Sequence, residues 1–242
     1  MYLSSQHRDS VNLPKADFEF HLRRLRPVID LLSAKDAKLG GDWFLGGSSI
    51  ADAQRFPVFS GGAVRKDAID ELRRKNADDI DEAKFIGIWN GDSRKGCGGS
   101  IEFCIDSTVF PNSIELTVNE IAANTSRLGD YKSAADVIIK VAEIYTPSNL
   151  TFGPRKYLGK QVFEDRPSVS WMLYLPHVLT SSQVPEARAL IPVVRDGKQQ
   201  GTIIVSVTDE VFDVNNRAHV KAANDIEIRL ADQDLLPRFI DL

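Results

Sequence analysis

The feature that most constrains the fold is an unbroken apolar run that follows Ser170. Five large apolar or aromatic side chains stand in a row from Trp171 to Leu175, and Pro176 ends the run. Periodicity cannot separate a buried strand from a buried helix over so few residues, but the short length and the terminal proline favour a strand. A strand without polar alternation is covered on both faces and is central to its sheet, so we expect a layered domain built over this run.

Alternation of apolar and polar side chains predicts further strands. The first three lie at 85–90, 101–105 and 114–118. With short turns between them, they are typical of an antiparallel meander. In the last third of the chain, residues 189–195 and 202–208 are apolar and β-branched, and Asp196-Gly197 between them is a strong hairpin signal.

Apolar residues at three- and four-residue steps predict helices at 17–38, 64–81, 132–146 and 215–232. Pro27 removes a backbone donor inside the first of these, so we expect a kink or a break there. Ser48 or Ser49 is a good N-cap for a short helix that follows, and the glycine pair before it also fits phosphate binding, although no lysine follows.

These elements together predict the α+β class. We expect a mostly antiparallel sheet of about six strands, in two three-stranded runs, with helices packed on it. Residues 1–16 are predicted to form a flexible leader, and residues 17–242 a single domain. The helix–strands–helix order of the two halves also fits a degenerate repeat.

Composition excludes several classes of protein. The 242 residues are 43% apolar and 26% charged, as in ordinary globular proteins, and the formal charge of −4 gives no general reason to expect nucleic acid or an anionic membrane as partner. Cys97 and Cys104 match neither a zinc spacing nor a Cys-x-x-Cys redox pair. The N-terminus lacks the apolar core of a secretory signal, and no window approaches the ~18 apolar residues of a membrane helix, so we expect a cytoplasmic protein.

No pattern of catalytic residues is evident. The four histidines are scattered, and no Gly-x-Ser-x-Gly elbow is present. The acidic run that ends in Glu82-x-Lys84 fits a metal-dependent nuclease, but the pattern is common by chance and favours a solvated helix end and turn. The glycine-rich stretch 91–99 lacks the Gly-Lys-Ser/Thr of a P-loop and precedes a strand, so a mobile hairpin loop and a recognition loop both remain open.

Several short motifs carry a family resemblance. They are Trp43–Ser48, Trp89-Asn90-Gly91, Trp171–Pro176, Gly201–Val205, Asn216–His219, Ile226–Leu230 and Leu235-Leu236-Pro237. Over residues 18–237 the chain resembles the immunity protein 52 family of bacterial polymorphic-toxin systems.

The resemblance implies a cytoplasmic inhibitor encoded beside a secreted antibacterial toxin. Toxins paired with this family often resemble restriction-endonuclease-fold DNases delivered by type VI secretion. The family offers no catalytic residues to carry over, and its recurrent tryptophans, glycines and prolines are structural. The corresponding structural anchors are Trp43, Trp89, Gly91, Trp171, Pro176, Gly201 and Pro237.

The sequence thus favours a binding protein over an enzyme, without cofactor or metal. A nuclease toxin has a basic DNA-binding surface, which an acidic patch would steer and hold. The acidic candidates for toxin binding are Asp78, Asp79, Asp81, Glu82, Asp209, Glu210 and Asp213. Two alternatives stay open: a metal-dependent hydrolase or nucleotide-binding protein that uses loop 91–99, and a structural or adaptor subunit.

Overall fold

The computed structural model describes residues 1–9, 15, 17–47, 49–77, 83–106 and 110–242. The chain divides into two compact units. The 7–119 unit comprises His7–Asn119, and the 120–242 unit comprises Met1–Gln6 and Glu120–Leu242. The prediction of one domain over 17–242 stays a prediction.

The helices are α1 (Phe18–Lys35), α2 (Ile50–Ala53), α3 (Lys66–Lys75), α4 (Tyr131–Tyr145) and α5 (Arg217–Asp232). The strands are β1 (Tyr2–His7), β2 (Phe44–Leu45), β3 (Phe59–Ser60), β4 (Ala63–Val64), β5 (Lys84–Trp89), β6 (Gly99–Ile105), β7 (Asn112–Val118), β8 (Asn149–Gly153), β9 (Met172–Leu175), β10 (Ala189–Arg195) and β11 (Lys198–Val205). No helix among the described residues is both long and apolar enough to cross a bilayer.

The 7–119 unit is built on the predicted meander. Its strands lie in the order β7-β6-β5-β2, and each neighbouring pair is antiparallel. One face is buried, and its side chains are Ile86, Ile88, Ile101, Phe103, Ile105, Ile114, Leu116 and Val118. The period-two alternation therefore predicted these three strands and their pairing correctly.

Helix α1 is one continuous element. Asp17 caps its N-terminus by accepting a hydrogen bond from the backbone N–H of Phe20 at 3.0 Å. The predicted break at Pro27 is wrong, because the helix runs on to Lys35. Proline at position 27 leaves the carbonyl of Arg23 without its helical donor. Both residues lie on the exposed side of the helix, so the missing hydrogen bond falls on the side that faces solvent.

Two shorter helices follow in the same unit. Ser49 caps α2 through a hydrogen bond from the backbone N–H of Asp52 at 3.1 Å, so capping explains this serine. Helix α3 ends at Lys75, six residues before the predicted end, and residues 78–82 lie outside the described part of the chain.

The 120–242 unit is built around the apolar run. Its strands lie in the order β10-β11-β9-β8-β1, with antiparallel neighbours throughout. All four residues of β9 are buried and the strand is central, as the sequence predicted. Asp196 and Gly197 have positive φ angles of 52° and 73°, the geometry of the predicted two-residue hairpin turn. Helix α4 packs against β8, β10 and β11.

Strand β10 ends this strand order, and it is irregular. Pro192 lies in its middle, and the register with β11 shifts between Val193 and Val194. Proline has no backbone N–H, and a register shift bends the strand and increases its twist. This edge therefore lacks an even row of hydrogen-bonding groups.

The prediction of about six strands is wrong. Within the described residues the two strand orders hold nine, and β3 and β4 form a separate hairpin. The extra strands are β1, β2 and β8. Strand β1 occupies the predicted leader and buries Ser5 and His7 beside Tyr2 and Leu3, and β8 buries Asn149 and Thr151. These buried polar residues hide the alternation that sequence reasoning relies on.

Candidate partner-binding surfaces

The predicted acidic residues fall in two places. Asp78, Asp79, Asp81 and Glu82 lie outside the described residues. Asp209, Glu210 and Asp213 lie between β11 and α5, in the segment 206–216 that we call the acidic loop. Asp209 and Glu210 are exposed, whereas Asp213 is half-buried.

The acidic loop rests on aromatic packing. Phe212 is fully buried, and its ring centroid lies 5.5 Å from that of Tyr157 and 5.6 Å from that of His219. His219 accepts a hydrogen bond at Nδ1 from the backbone N–H of Asp213 at 3.0 Å. The proton of a neutral His219 is therefore on Nε2, which lies 2.9 Å from a carboxylate oxygen of Glu210. The buried histidine thus fixes both the loop backbone and the Glu210 side chain.

The three acids of the loop differ in what they do. Asp213 accepts hydrogen bonds from the backbone N–H and the side-chain amide of Asn215, at 2.8 and 3.0 Å, which closes a turn. Asn216 then caps α5 through the backbone N–H of Ala218 at 2.9 Å. Asp213 is accordingly a turn residue, and Asp209 and Glu210 are the acids that face solvent.

Sequence reasoning missed the buried carboxylate of Glu227 on α5. Its Oε1 accepts hydrogen bonds from the Tyr157 hydroxyl and the backbone N–H of Val169, each at 2.9 Å. Its Oε2 accepts from the backbone N–H of Val162 at 2.7 Å. Burial raises the pKa of Glu227, and the three hydrogen bonds act in the opposite direction. The signal was present, because Ala223, Ile226 and Leu230 place position 227 on the buried side of α5.

The face of the meander opposite the core carries a second candidate surface. Phe85, Gly87 and Trp89 share this face of β5, and 65% of Phe85 is exposed. In the strand register Gly87 is paired with Glu102 on β6, and Glu102 is paired with Glu115 on β7. Glu102 is exposed.

Trp89, named above as a structural anchor, does not lie in the core of its unit. It is half-buried on the outward face, and its indole N–H is shielded from solvent without a hydrogen-bond partner. Alternation allows either Phe85 and Trp89 or Ile86 and Ile88 to face inward. The two isoleucines are the buried pair, so the aromatic residues lie outside.

Loop 91–99 is pinned at its base by Asn90. The Asn90 amide donates to the carbonyls of Cys97 and Lys38 at 3.0 and 2.9 Å, and its oxygen accepts from the backbone N–H of Gly99 at 2.9 Å. The guanidinium of Arg94 binds the carboxylate of Asp92, with its Nη2 at 2.6 Å, which raises the pKa of Arg94. Strand β6 follows the loop, so the helix N-terminus of a phosphate cradle is missing here.

Metal-ligating side chains do not converge in the described ranges. No group of three or more His, Cys, Asp or Glu residues there is arranged to hold an ion.

The remaining predicted anchors have identifiable contacts. Trp43 and Trp171 are buried, and their indole N–H groups donate to the carbonyls of Leu39 and Val207 at 3.1 and 2.9 Å. Gly91 has φ +74°, and a Cβ there would meet the Phe44 ring at 2.7 Å. Pro176 is exposed directly after β9, and Pro237 is half-buried beyond the end of α5.

Comparison with known protein families identifies the family of this chain. The sequence matches the family described as Immunity protein 52 over residues 16–238, which include most of both compact units. The chain belongs to the Immunity protein 52 family. Its role is therefore that of an immunity protein, and the structure gives this Immunity protein 52 chain an α+β fold with antiparallel strands.

One solved structure shows a distant likeness. It is the Pseudomonas aeruginosa T6SS protein PA0821, with 10% sequence identity and a TM-score of 0.49. The alignment covers 93% of this Immunity protein 52 chain and 72% of the other chain. No curated protein sequence matches the chain.

Proposed function

We propose that this protein neutralises a cognate antibacterial toxin by forming a tight, stoichiometric complex with it in the cytoplasm, without turnover of its own. The observation that carries the proposal is the match to the Immunity protein 52 family over residues 16–238. An immunity protein of this kind protects the producing cell and its kin, and the partner is encoded beside it.

The toxin that fits best is a nuclease, of the restriction-endonuclease-like class and delivered by type VI secretion. Nucleases bind the phosphate backbone through lysine and arginine, so their substrate-binding surface is basic. The net charge of −4 and the exposed Asp209 and Glu210 complement such a surface. Opposite charges increase the rate of association and favour the correct partner.

The acidic loop is suited to such a contact because it is held in place. Phe212 and His219 fix its backbone from below, and Asp213 closes the turn before α5. Acidic side chains on a fixed base lose less conformational entropy on binding than those on a free loop. The sequence candidates Asp78, Asp79, Asp81 and Glu82 are a second proposed contact.

Co-expression with the neighbouring toxin gene tests the function. The protein should rescue growth, and the purified pair should form a complex of fixed stoichiometry by size exclusion with light scattering. A toxin whose nuclease residues are inactivated should still bind. Failure of both rescue and complex formation would refute the proposal, and a cognate toxin that does not cleave nucleic acid would remove the nuclease assignment.

Charge reversal tests the acidic loop. The double variant Asp209→Lys and Glu210→Lys should slow association with the toxin by about tenfold at low salt and by less at high salt. Stopped-flow fluorescence measures the rate. The matched control is Glu164→Lys with Asp232→Lys, which changes the net charge equally at two other exposed acids of the same unit. Equal rates for the two double variants would exclude the acidic loop as a contact.

A further inference from the structure

The outward face of the meander combines three features. We call it the β5 face and define it by Phe85, Gly87, Trp89, Glu102 and Glu115. The opposite face of the same strands is buried, whereas on the β5 face Phe85 and Glu102 are exposed and the other three residues are half-buried. The three features are two aromatic side chains, a glycine between them, and a carboxylate paired with that glycine on the next strand.

The gap is set by strand geometry. Residues two apart on a strand share a face and lie about 7 Å from each other, so Gly87 has an aromatic neighbour on either side. A Cβ at Gly87 would meet no atom within 4 Å. The side-chain space above Gly87 is therefore open, and it forms a notch between Phe85 and Trp89.

The charge at the notch is negative. Gly87 pairs with Glu102 and Glu102 pairs with Glu115, which places two carboxylates in one row across the strands. Glu102 is exposed and makes no ion pair among the described residues. Its carboxylate is therefore available to a cationic side chain of a partner.

We propose that the β5 face is a further contact surface for the toxin, and that an arginine side chain of the toxin enters the notch at Gly87, binds Glu102 and stacks on the flanking aromatic rings. The inference rests on the proposed function and deepens it by naming a surface. A guanidinium forms a paired hydrogen bond with a carboxylate and also packs flat on an aromatic ring. An ammonium group has no planar fork, so lysine fits the same site less well.

The exposure of Phe85 agrees with an interface anchor. Phe85 is 65% exposed, whereas Ile86 and Ile88 on the opposite face of β5 are buried. Aromatic residues are enriched at the centres of protein interfaces, where they account for a large share of the binding energy. A second copy of this chain is a poor occupant, because a symmetric contact through this face brings a second exposed Glu102 and adds negative charge.

Three variants test the inference against an inactivated toxin. Gly87→Val fills the notch with a residue that favours strands, Glu102→Gln removes the charge, and Phe85→Ala removes the exposed ring. Each should weaken binding by tenfold or more in calorimetry, and Glu102→Gln should also reduce the salt dependence. The control variants are Val194→Ala and Glu164→Gln, an exposed apolar residue and an exposed acid of the other unit. Thermal unfolding of every variant verifies the fold.

The possible results separate the two proposals. Wild-type binding with no loss in the three variants would overturn the β5 face and leave the immunity function standing. Absence of wild-type binding and rescue would overturn the function itself. A wild-type dimer that Gly87→Val converts to a monomer would also overturn the inference, since a second copy would then occupy the notch. Loss of binding with unchanged melting temperature is the expected result.

Discussion

Glu227 is a buried carboxylate that supplies hydrogen-bond acceptors to an irregular segment of the 120–242 unit. The segment 160–170 contains no regular strand or helix, and two of its backbone N–H groups, at Val162 and Val169, donate to this one carboxylate. The Tyr157 hydroxyl donates the third hydrogen bond and accepts one from the Asn224 amide. An ionised carboxylate has only acceptor atoms, so it can accept a hydrogen bond from each of these three donors at once.

Glu227→Gln is expected to destabilise the protein although it removes a buried charge. The amide has one oxygen, so its NH₂ group must face a backbone N–H or the Tyr157 hydroxyl, and one buried donor loses its acceptor. The free energy of unfolding should fall by about 2–4 kcal/mol in urea titrations. The exposed Glu102→Gln is the matched control and should change stability by less than about 0.5 kcal/mol. Equal stabilities of the two variants would contradict the network.

At the scale of elements, the sequence determined most strands through simple patterns. The run at 171–175 predicted the central strand, the meander followed from alternation, and Asp196-Gly197 marked the hairpin. Strand β1 could not be found, because its buried Ser5 and His7 resemble a polar leader. The orientation of Trp89 could not be found either, because alternation identifies two faces without saying which one meets the core.

Close approach between strands explains Gly201. A Cβ there would lie 2.5 Å from the Leu175 carbonyl oxygen and 2.5 Å from the Tyr174 ring, both on β9. Gly201→Ala should therefore force β11 and β9 apart and lower the free energy of unfolding by about 1–3 kcal/mol.

Gly159→Ala is the control for Gly201→Ala, because a Cβ at Gly159 would meet nothing within 4 Å. It should be neutral or slightly stabilising, since alanine restricts the unfolded chain. Urea denaturation of both variants compares them. A neutral Gly201→Ala would show that the two strands adjust without loss of packing.

The candidate site was only partly visible in the sequence. Asp209 and Glu210 were predicted from the density of charge, and the structure leaves both exposed. Asp213 was named with them, but its role in the turn depends on Asn215 and on folded geometry. The β5 face escaped notice because Glu102 and Glu115 are thirteen positions apart in the sequence and meet only through the strand register.

At the scale of the whole molecule, the two units should respond to acid in opposite directions. In the 7–119 unit, burial would raise the pKa of Asp9, but hydrogen bonds with His7 and Arg24 outweigh it and hold that pKa well below its usual range. Its stabilising contribution is complete above the ordinary carboxyl pKa of about 4 and is lost as the pH falls further. In the 120–242 unit, burial raises the pKa of Glu227. The stability that this raised pKa contributes is therefore complete below the ordinary carboxyl pKa of about 4 and is lost as the pH rises toward the folded-state pKa.

Hydrogen exchange resolved by segment measures both responses. Amides of α5 should be better protected near pH 5 than near pH 7 after correction for intrinsic exchange, and amides of α1 should lose protection below about pH 4. Asp9→Asn should remove the acid sensitivity of α1 and leave α5 unchanged. Parallel pH profiles for the two helices in the wild type would show that other groups dominate.

The irregular edge strand β10 has a consequence for how this protein recruits another chain. Strand-by-strand extension of a sheet requires a continuous series of free amide and carbonyl groups. Pro192 and the shift after Val193 interrupt that series, so an incoming backbone finds no template along this side. Along this edge recognition is left to side chains, whose identity can change from one lineage to the next without rebuilding the scaffold, and a toxin and its antidote can thereby diverge in step.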